Sequence, residues 1–282
     1  MAGERVIDAW VNVSMGDSAP APYLVRVKED YLKGGDDFFR SYEPDDLLPE
    51  MDRLGIERAI IVTSLDNPNP RPLRFVEQAP ERFSMGIGVG PTGGVDELHA
   101  LEDYVAAVPT CCVKVVPFST GVPPSDAIYY PLYAKCIDLD IPLTINTGLP
   151  GPPVPGECQD PIHLDKVCFR FPELKLCMAH GADPWWGVAM RLMIKYANLH
   201  LMTSAYSPKH FPPEFVHFMN TRGQDKVLFA SDHPAFGMAR AVEEARALDL
   251  REGVLDKFLY ANANRLFFGD RKPRHVELAP LN

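Results

Sequence analysis

Six polar side chains stand at or near the C-terminal ends of short apolar runs: Asp8, Asn12, Lys114, Asn146, His180 and Asp232. Side chains on a strand alternate between two faces, and counting along each run puts these six on one side. In Arg5–Val13, the apolar Ile7, Ala9, Val11 and Val13 take one face, and Asp8, Trp10 and Asn12 take the other. The same count sets Cys112 and Lys114 against Val113 and Val115, and Thr144 and Asn146 against Leu143, Ile145 and Thr147. It also sets Met178 and His180 against Cys177 and Ala179, and Ala230 and Asp232 against Phe229 and Ser231. Together these groups make a toolkit. An imidazole works as acid or base near neutral pH, a carboxylate moves a proton or activates water, a lysine holds an anion, and amides hydrogen-bond a developing oxyanion. Each also has a plain structural reading: His180 as a hydrogen-bonded strand end, Lys114 as a neutralising partner of Asp8 or Asp232. Burying polar groups is costly unless they are paired or used, and apolar filling would serve stability better. Their convergence therefore points to chemistry.

Such a convergence needs a scaffold that brings five strand ends to one mouth. The chain alternates β-rich runs with amphipathic helical ones. The strands are expected at Arg5–Val13, Arg58–Ser64, Phe83–Val89, Cys111–Pro117, Pro142–Thr147, Lys175–Ala179, Leu199–Ser204 and Lys226–Ser231. Helices are expected to begin near Asp45, Pro72, Gly94, Tyr129, Pro161, Pro184, Pro213 and Gly237, and a last one to run from Leu255 to Phe267. Eight strands, each followed by a helix, predict a (β/α)8 TIM barrel in one domain spanning 1–282, a fold that needs ~250 residues. No G-x-G-x-x-G follows the first strand, which disfavours a dinucleotide-binding sheet. Two long segments leave C-terminal strand ends, where barrels carry their active sites. One is 14–44, with Tyr23, Tyr31, Phe38, Phe39 and Tyr42; the other is the Pro/Gly-rich 148–160. Both read as lids, although the first also reads as a surface excursion with its own small cluster. The tail 271–282 is expected to be poorly ordered or packed on a partner.

Composition narrows the function classes. The 282 residues carry a net charge of −10, against binding to nucleic acid phosphates. No apolar run approaches the ~18 residues of a membrane span, and no basic stretch followed by an apolar core opens the chain. A cytoplasmic protein with no membrane or nucleic-acid partner is the expectation, with a small molecule as substrate and a homodimer as an open possibility. None of the six cysteines forms a C-x2-C pair, so zinc ribbons and thioredoxin-like motifs are disfavoured, and buried reduced thiols are expected.

Several stretches carry a resemblance: RVIDAWVNV, LLPEMDRLGIERAIIV, PLYAKCIDLDIPLTINTG, FPELKLCMAHGA, KVLFASDHP and FLYANANRLF. With them the chain resembles, over nearly its whole length, the amidohydrolase-related (amidohydrolase 2) family. That family includes aminocarboxymuconate-semialdehyde decarboxylase and related aromatic-acid decarboxylases, hydratases and lactonases. The resemblance implies a metal site whose first motif is I-D-x-H-x-H, but here the letters are Ile7-Asp8-Ala9-Trp10-Val11-Asn12. The His-x-Gly expected after the fifth strand reads Asn146-Thr147-Gly148, while the family's catalytic His and its strand-eight Asp are matched by His180 and Asp232. Amide oxygens are poor zinc ligands and an indole has no lone pair to offer. The expectation is therefore a site with no cofactor, with one divalent metal such as zinc, held by Asp8, His180 and Asp232, as the alternative. The function implied is hydrolysis or decarboxylation of a small, cyclic or aromatic carboxylate, with His180 and Asp232 as the acid–base pair. Lys114 would hold the substrate's carboxylate, Asn12 and Asn146 would donate to an oxyanion, Trp10 would form a flat wall, and Tyr206 would add a phenol. The competing reading is a barrel without catalysis that serves as a ligand-binding or partner subunit.

Overall fold

In the computed structural model, described over residues 5–66, 69–274, 277 and 279–280, eight parallel strands form one sheet in sequence order. They are β1 (Val6–Val11), β2 (Ile56–Ser64), β3 (Phe83–Gly88), β4 (Thr110–Val115), β5 (Leu143–Asn146), β6 (Leu176–Ala179), β7 (Leu199–Met202) and β8 (Val227–Leu228). Each successive pair is hydrogen-bonded in parallel. The seam from β8 back to β1 is irregular: the backbone N–H groups of Ala9, Asn12 and Asp232 donate to the carbonyls of Phe229, His233 and Trp10, at 3.3, 2.7 and 3.0 Å. The (β/α)8 TIM barrel is thus nearly closed, with its loosest join among the candidate residues.

Local sequence explains the helices around it. Helix α2 (Pro44–Leu54) starts with the Glu43 N–H donating to Asp46 Oδ2 at 2.8 Å and Pro44 in the first turn, and it ends at Gly55 in the left-handed region (φ 73°). Helix α3 (Pro70–Gln78) is capped by Asn69, which accepts from the Arg71 N–H at 2.9 Å. The helix over Trp186–Lys195 begins two residues later than expected, after Asp183 and Pro184.

Two apolar layers form. The outer one joins Val11, Val13, Val113, Val115, Leu143, Ile145, Leu176, Met178 and Phe229 to the helices. The inner one gathers Ile7, Ala9, Trp10, Cys112, Cys177, Ala179 and Ala230 with Tyr260, Ala263, Leu266 and Phe267 of the last helical segment. Alternation correctly sorted β4, β5 and β8, but Ile7 and Ala9 lie inside where the helix-facing side was expected. A register irregularity between Asp8 and Val11 breaks the period of two, so Ala9 and Trp10 both join the inner layer. In β6 the phase is inverted, with Cys177 and Ala179 inside and Met178 outside.

The segment after β1 holds a short helix α1 (Pro22–Arg26) that continues into a π turn over Val27–Leu32, then a 3-10 turn over Asp36–Phe39. Of the tail, residues 275, 276, 278, 281 and 282 lie outside the described residues. The remainder bonds back to the barrel through Lys272, Arg274 and Ala279, whose N–H groups meet Asp140 Oδ2, Asp138 O and Val105 O. All six cysteines are free and buried. No described helix is long and apolar enough to cross a membrane.

Candidate active site

One cavity of about 390 Å³ opens at the C-terminal mouth, and Trp10, Asn12, Lys114, Asn146, His180, Tyr206 and Asp232 all line it. Asp8 does not. It is fully buried beneath the mouth, accepting from the Ser231 N–H at 2.8 Å and the Ser231 Oγ–H at 2.6 Å. The expected metal set of Asp8, His180 and Asp232 is therefore not assembled, because Asp8 is committed to stitching the β8–β1 seam.

His180 reaches the cavity by a different route from the one alternation suggests. Ala179 is inside, so a continued strand would send His180 outward. Its φ of 68° lies in the left-handed region and turns it back into the mouth; such conformations in a non-glycine residue concentrate at functional positions. Gly181 follows with φ 69°, and a Cβ there would sit 2.7 Å from the Trp186 ring, so glycine lets the indole pack beneath the turn. Asp232 is likewise left-handed (φ 65°).

The polar groups have definite partners. The Asn12 Nδ2 amide donates to Asp232 Oδ1 at 2.9 Å and to the His233 carbonyl at 3.2 Å. Both its hydrogens are engaged, so Asn12 positions the Asp232 carboxyl and has none left for an oxyanion. Burial drives the Asp232 carboxyl up to about 7, against the opposing Asn12 hydrogen bond and the positive charge of Lys114. Burial, with the charge of Lys114, pulls His180 down to about 4, so its imidazole is neutral at physiological pH. Burial also lowers the Lys114 ammonium, with Asp232 opposing. Lys114 Nζ stands 4.9 Å from the centroid of the Trp10 ring, and His180 meets that ring edge-on at 4.6 Å. Lysine, indole, imidazole and carboxyl thus share one corner. His180 Nδ1 and Asn146 Oδ1 are buried without a partner among the described residues.

Other lining residues were not singled out from sequence as site candidates. Gln159 is buried and donates to the Gly148 carbonyl at 2.8 Å, while Asp183 is exposed beside the mouth. Leu24, Val27, Leu32 and Phe38 come from the segment after β1, whose length and aromatic content were the available signal. His233 packs against Tyr42 at 4.7 Å and does not line the cavity.

Comparison with known proteins accords with this architecture. The amidohydrolase family profile matches residues 7–269. No curated protein sequence matches. An uncharacterised TIM-barrel protein from Bordetella bronchiseptica superposes with a TM-score of 0.77 at 22% identity, covering 94% of this chain and 99% of its own. A dihydroxybenzoic acid decarboxylase from Polaromonas sp., solved with bound manganese and an inhibitor, 2-nitroresorcinol, has a TM-score of 0.67 at 15% identity, covering 97% and 99%. A probable 2-pyrone-4,6-dicarboxylic acid hydrolase from Acinetobacter baumannii, with citric acid bound, has a TM-score of 0.65 at 15% identity, covering 94% and 99%.

The manganese corrects the expectation of a site with no cofactor, since a barrel matched almost end to end carries a metal. The donors of this chain nevertheless do not fit a divalent cage. Manganese suits carboxylate, carbonyl and water oxygens. Among the described residues no three His, Cys, Asp or Glu side chains gather to hold an ion. Asp232 accepts from the Asn12 amide, and the Lys114 ammonium already supplies positive charge to this corner.

Proposed function

This chain belongs to the amidohydrolase family, and from that premise we propose that its cavity decarboxylates a small cyclic carboxylate by proton transfer through Asp232. The observation that carries the reading is the buried Asp232 carboxyl, oriented by Asn12 at 2.9 Å and sharing a cavity with Lys114, and burial raises that carboxyl to about 7. At neutral pH a large fraction of Asp232 is a neutral acid, the form needed to protonate carbon, and general acids work best near the operating pH.

The steps balance with the residues present. Lys114 draws the substrate's negative charge to the floor of the cavity, with the ring against Trp10. Asp232 transfers its proton to the ring carbon that bears the carboxylate, forming a C–H bond. The C–C bond to the carboxylate then breaks, its electron pair returns to the ring, and CO2 leaves. Water reprotonates Asp232. Neutral His180 and the Asn146 amide hold ring oxygens by hydrogen bonds. Hydrolysis of a cyclic ester is the weaker fit. An oxyanion hole needs preorganised donors, and those of Asn12 are engaged elsewhere.

The test is CO2 release from hydroxylated ring carboxylates in deuterated water, with added manganese and after chelation. The expected product carries one solvent deuterium at the former carboxylate carbon. kcat should fall about tenfold per pH unit above about 7, as Asp232 loses its proton. Asp232→Asn should lower kcat by about 10²–10⁴. Undiminished turnover in Asp232→Asn would remove the proton donor from the scheme, and a ligand that binds without CO2 release would favour a purely binding barrel.

A further inference from the structure

The walls of the cavity say more about the substrate than its floor does. Among the described residues lining it, Lys114 is the one cation, since His180 is held neutral. Leu24 and Phe38, from the segment after β1, share the cavity with Val116, Phe118 and Pro150. The mouth has the opposite sign to the floor. Asp183 is exposed there, and burial together with its charge raises the phenols of Tyr31 and Tyr206, which line the same opening. A cavity of about 390 Å³ lies within the ~300–1,000 Å³ of small-molecule sites, so a ring acid held at Lys114 leaves apolar space to be filled.

We propose that the substrate is a monoanion: a ring acid with one negative charge, bound at Lys114, and an apolar substituent on the far edge of the ring, received by the segment after β1. A second carboxylate on that edge is rejected. It would meet apolar walls that cannot hydrate it and the carboxylate of Asp183, with no cation besides Lys114 among the described lining residues. The inference rests on the reading of this cavity as a site for cyclic carboxylates. It sets the chain apart from the polyacid-binding Acinetobacter hydrolase of the same fold, which was solved with citric acid.

Calorimetric binding of three matched ligands tests it: 2-hydroxybenzoate, its 4-propyl derivative and its 4-carboxylate derivative. The propyl acid should bind more tightly than the parent by roughly threefold to fourfold for each methylene buried. The dicarboxylate should bind at least tenfold more weakly than the parent. Leu24→Asp, at a half-exposed position, should erase the advantage of the propyl group. Asp183→Asn, on the surface, should recover part of the dicarboxylate's affinity. A dicarboxylate that binds as well as the propyl acid overturns the inference, as does an Asp183→Asn variant that leaves the order and the gaps unchanged. Because binding is read without turnover, the predicted order of affinities in the absence of CO2 release would defeat the proposed reaction and leave this specificity standing.

Discussion

Asp232 is held where its charged form is disfavoured, and that tension has a thermodynamic signature as well as a catalytic use. Burial raises its carboxyl from the ordinary 3.8 to about 7, and raises Asp8 to about 6. For a group whose folded pKa is raised, the stabilising contribution is complete below the unfolded value and disappears as pH climbs through the folded one. Asp232 therefore favours the folded state below about pH 4 relative to alkaline solution, and that advantage is lost between about 4 and 7. Asparagine keeps the shape of the neutral acid and cannot ionise. Asp232→Asn is expected to melt at a higher temperature than the parent at pH 8, with the difference shrinking toward pH 5 and absent near pH 4. Thermal melts across that range check the sign. A variant less stable at pH 8 would mean that the Asn12 hydrogen bond and the positive charge of Lys114 outweigh the burial of Asp232. The same substitution removes the proton donor, so gain of stability and loss of activity should appear in one protein.

At the scale of elements, Arg71 on α3 ties together both ends of the segment that roofs the cavity. Its guanidinium pairs with Asp17 at 2.7 Å and with Glu43, and Asn69 Nδ2 adds a hydrogen bond to Asp17 at 2.8 Å. The pairing holds the Asp17 carboxyl well below the usual carboxylate range. Arg71→Met should leave the barrel folded while limited proteolysis cuts within 17–43 several-fold faster and KM rises, because Leu24 and Phe38 are no longer held over the ligand. Unchanged cleavage and KM would show that the segment is held by its own packing. That this segment belonged at the mouth was legible in the sequence, from its length and its place after a strand. The succession of strands and helices was legible too, because apolar periodicity and proline punctuate it. The orientation of individual side chains was less so. Alternation assumes an unbroken pleat, and the irregularity in β1 and the left-handed turn at His180 each break it. The roles of Asp8 and Asn12 were hidden for another reason. Their partners, Ser231 and Asp232, lie 223 and 220 positions away and become neighbours only when β8 closes on β1.

Across the whole molecule the two ends of the barrel carry different burdens. At the mouth, polar groups are buried with some of their atoms unpartnered, a condition that serves a ligand and weakens the fold. At the opposite end, Tyr260, Ala263, Leu266 and Phe267 join the inner apolar layer. The join is fastened at its rim, where the Arg5 guanidinium donates to the Tyr260 hydroxyl at 3.1 Å and that hydroxyl donates to Glu57 at 3.0 Å. Barrels of this kind divide catalysis and stability between their two faces, and substitutions at the two ends should separate the two properties. Phe267, only 1% exposed, fills the base of the inner layer. Phe267→Ala leaves a cavity there and should lower the unfolding free energy by about 3–5 kcal/mol. At a temperature where the variant remains folded, kcat should stay within about twofold of the parent. Asp232→Asn should give the mirror image, with activity lost and the fold retained. Denaturant titration and turnover measured on both variants decide the matter. If Phe267→Ala lowers kcat tenfold while its folded fraction is intact, the inner layer transmits strain from base to mouth, and Trp10, which belongs to that layer and also lines the cavity, is where it would arrive.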